Sequence, residues 1–360
     1  MEKQQFLAKL EALLSGIPAS DREQILDFYR EIIEDRIENG ASEAAAVADF
    51  GNVEHLAQEI LQENAYSQKE QQPDQPQPAQ QQEERRGNKC VYREYRAMAG
   101  AFDKIVINAR NTKFFIRPSQ DGAIRFCYYE DQDVRYNLNK EGNTLHIEQT
   151  IEKKWHWYFL LGVGYHSALT KGVVLELPTP YEGWLEAATT NARIVLENLH
   201  LNRLEAVTTN AAIEVKGVQA QELVTNTTNG SITIENTQAQ RLNAHTHNGR
   251  MTLRDVMSKN CEAATSNGKL ELGNVQAEDW LHGQTSNGGI ELWGVSGFVM
   301  DFHTSNASVS GTVKGDENLY NIMSTTSNGS NELGRRVVAQ SRRSLSVKTT
   351  NGNIRVRFEQ

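Results

Sequence analysis

Proline is missing from the whole second half of this 360-residue chain, the last being Pro180. A proline-free stretch of that length keeps every backbone donor available for a continuous hydrogen-bonded ladder. Cysteine is scarce: Cys90, Cys127 and Cys261 form no CxxC and no obvious pair. That excludes a disulfide-built scaffold and is the usage expected of a reducing compartment. No apolar run approaches the ~20 residues needed to span a bilayer. The first twenty residues alternate apolar and polar at helical spacing, so no secretory signal peptide is expected. Net charge is also missing from most of the chain. Residues 1–64 hold five Lys/Arg and fourteen Asp/Glu, which is the entire formal charge of −9; the remainder holds 32 of each sign. A neutral remainder lacks the basic face that nucleic acid requires, so no direct nucleic-acid binding is expected. The acidic head points to a basic partner.

What is present instead is a period. Asn191, Asn210, Asn229, Asn248, Asn267, Asn287, Asn306, Asn328 and Asn351 are separated by steps of 19, 19, 19, 19, 20, 19, 22 and 23. Thr stands two residues before each of them, from Thr189 to Thr349. An apolar residue stands six before, as in Leu185, Leu204, Leu223, Leu242 and Cys261, and others stand three and five after, as in Ile232 and Ile234. Spacing by two is strand periodicity, and identical columns at one period favour stacking each strand on its own copy about 4.8 Å away. The Asn and Thr columns are then expected to become hydrogen-bonded ladders. Asn-Gly at the turn suits positive φ. Asn331 takes an apolar slot after Asn328 and the spacing stretches there, so bulges or loops are expected near 311–321 and 335–344.

The fold class this predicts is mostly β: a right-handed parallel β-helix or solenoid with a β-rich N-terminal cap, plus a small separate all-α domain. The boundaries read as a helical domain at 1–64, a Gln/Pro-rich linker at 65–89, a β-rich capping region at 90–180 and nine repeats of about 19 residues at 181–360. In the head, Phe6, Leu10, Leu13 and Leu14 mark one helix. Ile25, Leu26, Tyr29, Ile32, Ile33 and Ile37 mark a second, Ser42 caps a third over 43–50, and Asn52 caps a fourth carrying Leu56, Ile60 and Leu61. In the capping region, Asn111 with Phe114 and Ile116 reads as a degenerate repeat.

Chemistry-bearing constellations are few. Glu271 with Glu291, and Glu186 with Glu205, share columns in adjacent copies without a basic cluster in the column, so they read as solvated side chains that aid solubility rather than a paired-carboxylate centre. His245 and His247 lie two apart on one face, but the adjacent copies supply no third metal ligand. No catalytic, cofactor or metal site is therefore assigned, and a non-enzymatic protein is expected. The one candidate interaction surface is the densest apolar run in the chain, with Trp155, Trp157, Tyr158 and Phe159. It reads either as a loop folded over the open end of the core, or as a peripheral contact with lipid or a partner.

Two resemblances accompany these patterns. Phe6-Leu7, Leu10, Leu14, Ile17-Pro18, Tyr29, Gly40-Ala41-Ser42-Glu43, Phe50-Gly51-Asn52, Leu56-Ala57 and Ile60 resemble the HAAS helical signalling domain, which more often has Leu where Phe50 stands. The Leu175-to-Pro178 run and the repeated Thr-Thr/Ser-Asn-Gly turns resemble the "putative adhesin" β-solenoid family, whose function is unknown. Together they imply a cytoplasmic interaction protein of a Gram-positive bacterium in envelope-stress signalling. Its head would dock a PadR-like regulator or a membrane-stress component, with self-association open to the rod. The alternative is an envelope-associated adhesin or glycan-binding protein.

Overall fold

The structure is a computed structural model. It describes residues 90–151 except 132, residues 167–359 and, in the head, 2–16, 22, 26, 29–30, 33–34, 37, 42–48, 50, 52–54, 56–58 and 61. The chain divides into two units.

The head is helical. Helix α1 (Lys3–Leu13) opens with a capping box between Glu2 and Gln5, and α2 (Glu43–Ala48) is capped by Ser42, whose Oγ accepts the Ala45 amide at 3.2 Å. Phe6, Leu10, Leu14, Leu26, Tyr29, Ile33, Ala46, Val47, Val53, Leu56 and Ala57 form its core. Phe6 stacks on Phe50 at 5.3 Å, and Tyr29 meets both rings edge-on. Half-buried Phe50 thus packs against the core and joins Phe6 and Tyr29 in an aromatic cluster.

The second unit is a parallel β-solenoid of about nine turns. The strands are β1 (Val91–Ala97), β2 (Lys104–Asn108), β3 (Phe114–Pro118), β4 (Ile124–Glu130), β5 (Val134–Glu141) and β6 (Thr144–Ile151). The short helix α3 (Ser167–Thr170) precedes β7 (Val173–Leu177). Then come β8 (Tyr181–Ala188), β9 (Ile194–Glu197), β10 (His200–Val207), β11 (Ile213–Lys216), β12 (Gln219–Thr227), β13 (Ile232–Thr246), β14 (Met251–Ala264), β15 (Leu270–Gln284) and β16 (Ile290–His303). The chain ends with β17 (Val309–Lys314), β18 (Tyr320–Thr325), β19 (Arg343–Lys348) and β20 (Ile354–Glu359).

Through the middle, each strand pairs in parallel and in register with its copy one coil later: Leu204 on Leu223, Leu223 on Leu242, Leu242 on Cys261, Cys261 on Leu281. All of these side chains are buried. Asn side chains form the expected ladder. Nδ2 of each donates to Oδ1 of the one before it in the ladder at 2.6–2.7 Å, from Asn191 on Asn111 through Asn306 on Asn287. Asn111 therefore belongs to the repeat. The Thr column works differently from a hydroxyl-to-hydroxyl ladder. Thr246 Oγ1 accepts the Gly249 amide within its own turn and donates to the Gly230 carbonyl of the coil below, at 3.2 and 3.0 Å. Thr265 repeats this with Gly268 and Gly249.

The turn glycines are explained by proximity, not by φ. A Cβ on Gly249 would stand 1.8 Å from the Gly230 carbonyl oxygen, so the stacked turns leave no room for a side chain. In the coils from Asn191 onward positive φ occurs at a different corner, seven residues after the turn Asn, in Asn198, Gly217, Asn236, Asp255, Asn274 and Gly294, where only residues tolerant of the left-handed region fit. The φ > 0 expected at the Asn-Gly turns is thus found seven residues further on, and within the Asn ladder at Asn111.

At both ends, order in space departs from order in sequence. β2 and β3 lie directly against β8 and β9, while β6 and β7 occupy the next layer out. β5, β4 and β1 then add antiparallel strands, which end the parallel ladder. At the other end, β19 pairs with β16 and β20 with β17, so the last copy is tucked inside the one before it. β18 lies outside β19. The Asn ladder follows the same order, Asn351 donating to Asn306 and Asn328 to Asn351, both at 2.8 Å. Successive windings therefore do not always lie on one another. The Asn328 copy, with exposed Asn331 in the apolar slot, is the outermost coil, where a polar residue is tolerated because nothing apolar covers it. Its longer connections hold a 3₁₀ turn at Glu317–Leu319 and an exposed loop around Arg335.

Disulfide trapping checks this exchange. In a Cys90→Ser, Cys127→Ser background, Asn306→Cys with Asn351→Cys, stacked about 4.8 Å apart, is expected to oxidise readily. Asn306→Cys with Asn328→Cys, about twice as far apart, is expected not to. Gel mobility and mass spectrometry read the outcome.

Candidate interaction surface

Trp155, Trp157, Tyr158 and Phe159 lie outside the described residues. The solenoid presents its own candidates. The shared-column glutamates are less alone than the column reading holds. Lys269, two residues from Glu271, bridges Glu271 at 3.0 Å and Glu291 at 2.8 Å, and Arg254, on the coil between those of Glu235 and Glu271, lies 3.9 Å from Glu235 and 4.0 Å from Glu271. The Glu291 hydrogen bond, then Glu271, raises the Lys269 ammonium above its ordinary range. Glu186 is paired with Lys104 at 2.6 Å, and Arg203 holds Glu205 and Glu222 at 3.1 and 2.9 Å. These are solvated ion pairs that offset the repulsion between like charges stacked on adjacent coils.

His245 and His247 are exposed. Among the described residues, no group of three or more His, Cys, Asp and Glu lies close enough to hold a metal ion. Cys261 is fully buried in its apolar column, and burial pushes its thiol up to about 12, away from nucleophilic use. His282 faces Asp301 across adjacent coils, Nδ1 to Oδ2 3.4 Å, and its Nε2 lies 3.4 Å from Gln284. The Asp301 contact raises the imidazole above its ordinary value, and the same contact holds the Asp301 carboxyl below the usual carboxylate range.

A groove of about 920 Å³ runs along one wall of the solenoid. Its floor is the stacked column Leu201, Ala220, Ala239, Ser258, Ala277 and Gly297. These mostly small side chains turn inward and let the wall sink toward the core. One rim is His200, Gln219, Gln238, Met257, Gln276 and Ser296; the other is Asn202, Gln221, Gln240, Lys259, Glu278 and Phe298. Sequence reasoning missed both rims, although the 19-residue recurrence of Gln219, Gln238 and, after Met257, Gln276 was there to read. It also missed Trp184, which is 45% exposed and flanked by Lys104 at 5.6 Å and Arg203 at 5.4 Å from the ring centre.

With this geometry in hand, comparison with protein families is decisive for the rod. Residues 102–357 match the family model described as Toastrack DUF4097. The chain belongs to the toastrack family. Residues 5–59 match the HAAS model. Among solved structures, the toastrack chain is similar to a "putative adhesin" from Bacteroides fragilis: 14% identity, covering 75% of this chain and 98% of that one, TM-score 0.33. It is also similar to a "putative cell adhesion protein" from Clostridium sporogenes: 10% identity, covering 75% and 100%, TM-score 0.24. The family assignment rests on the family match, and neither likeness adds to it. A comparison with curated proteins gave no match. No helix among the described residues is long and apolar enough to cross a membrane.

The His282–Asp301 pair gives the toastrack rod a pH signature. A raised imidazole contributes stability that is fully present below about pH 6.5 and is lost as pH rises through the raised value. The lowered Asp301 carboxyl contributes above its ordinary value and is lost only in acid. His282→Gln should therefore destabilise the protein more at about pH 5.5 than at about pH 9, by roughly 0.5 kcal/mol after allowance for solvent screening. Denaturant titration of both proteins at the two pH values measures the difference.

Proposed function

We propose that this protein is a non-enzymatic interaction scaffold in which the acidic HAAS head, residues 1–64, docks a protein partner bearing a basic surface. The linker 65–89 lets the head act independently of the toastrack rod. The observation that carries this reading is the charge distribution: all of the formal −9 resides in the first 64 residues, and the rest of the chain is balanced. A concentrated charge of one sign on a small module speeds and orients encounter with a complementary surface. The HAAS match over 5–59 supports a signalling role, and a PadR-like regulator is the partner we favour. The ion-paired glutamates of the rod support scaffold over catalyst, because each carboxylate that shares a column is neutralised by a basic neighbour. We place the protein in the cytoplasm, at most peripheral to the membrane.

Charge reversal tests the assignment. Glu11 and Glu43 are exposed on the head. The full chain with Glu11→Lys and Glu43→Lys should keep its circular dichroism, with a small stability loss because Glu43 Oε2 accepts the Lys3 amide at 3.4 Å, but lose the partner recovered by in-cell crosslinking of the wild-type protein. Undiminished recovery of the same partner would contradict it.

A further inference from the structure

The groove along the rod wall has the chemistry of a carbohydrate site. Two of its six rungs are rimmed on both sides by neutral amides, Gln219 with Gln221 and Gln238 with Gln240, and among the described residues no hydrogen bond engages the side-chain amides of Gln219, Gln238 or Gln240. Each of those amides offers a paired donor and acceptor, the complement of a sugar hydroxyl. Lys259 reaches Asp279 at 3.7 Å, which balances the cation nearest the central amides. At one end, Phe298 (38% exposed) presents a ring against which a pyranose face can stack.

Length discriminates between ligand classes. The rim groups recur once per coil, every ~4.8 Å, over six rungs. Side chains on one face of an extended peptide recur every ~6.7 Å and fall out of step within two rungs. The sugars of an extended β-linked polysaccharide advance by close to one rung each. An anionic polymer would find no row of cations on the central rims to meet it.

We propose that the groove binds an extended, uncharged β-linked polysaccharide, with one sugar per rung, held by the Gln219, Gln238 and Gln240 amides and stacked on Phe298. This goes beyond the partner-docking role of the head and does not rest on it. The head variant with Glu11→Lys and Glu43→Lys should bind sugar normally, so failure of either idea is recognised separately.

The test is calorimetric titration of the full chain with soluble β-1,4-linked N-acetylglucosamine and glucose oligomers of increasing length, up to six sugars, one per rung. Affinity should rise with length for at least one series. Gln238→Ala with Gln240→Ala should weaken the longest oligomer about tenfold, the loss expected for two hydrogen bonds, with an unchanged melting temperature. Phe298→Ala should weaken long oligomers and spare the shortest. The proposal is overturned if neither series binds at millimolar concentration, if affinity is independent of length, or if the double variant binds as well as wild type. Binding of a neutral Ser/Thr-rich peptide in place of the sugars would likewise overturn it.

Discussion

One turn of the solenoid lies against the turn beneath it with no space for a side chain. Gly249 sits so near the Gly230 carbonyl that a methyl group cannot enter, and Thr246 uses that same carbonyl as its acceptor while receiving the Gly249 amide. The buried hydroxyls of Thr227, Thr246, Thr265 and Thr285 are thereby satisfied on both sides, within their own coil and across to the next. The Asn ladder seals the outer edge of the same turn with charge-free, direction-consistent hydrogen bonds. Once the turns are locked at this distance, the apolar columns have no alternative register, because a slip of one residue would turn Leu, Ile and Val outward.

That dependence explains why the interior of the rod was legible from residues alone. The columns of Asn191 to Asn306 are read off at 19- or 20-residue steps, and the buried side chains fall where the columns put them. The ends were not legible. A copy fits equally well above or below any neighbour with the same columns, so nothing in Leu345 or Ile354 announces that they insert between Met300 and Ile322 or follow Val309 directly. The stretched spacing around Asn328 was the trace of this exchange, and Asn331 in an apolar slot marked the outermost coil. The positive-φ corner was readable at Asn198, Asn236, Asp255 and Asn274, but attention to the Asn-Gly turn obscured it. Lys269 escaped the comparison of columns because it reaches Glu271 and Glu291 from two residues away.

The same architecture separates the two kinds of surface the protein offers. Stacking like on like forbids a row of unpaired charge along a wall, so the rod's carboxylates are interleaved with Lys104, Arg203, Arg254 and Lys269. Where charges are absent, a row of amides costs nothing to stack, and the groove rims through Gln219, Gln238 and Gln240 follow. The net charge excluded from the rod is concentrated in the helical head, which is free of the stacking constraint. Aromatic packing of Phe6, Tyr29 and Phe50 holds that small core together without drawing on its acidic exterior.

If in-register stacking of interchangeable coils is what defines the rod, its length is a free variable and its register is not. Removing residues 230–248, one 19-residue period, joins Asn229 to Gly249 and brings Asn267 onto Asn229 in the ladder. Circular dichroism and denaturant unfolding of that deletion should show the same β signature and a cooperative transition at modestly lower stability, whereas deleting about half a period should abolish the transition. Loss of cooperative folding in the full-period deletion, or equal tolerance of the half-period one, would contradict the account.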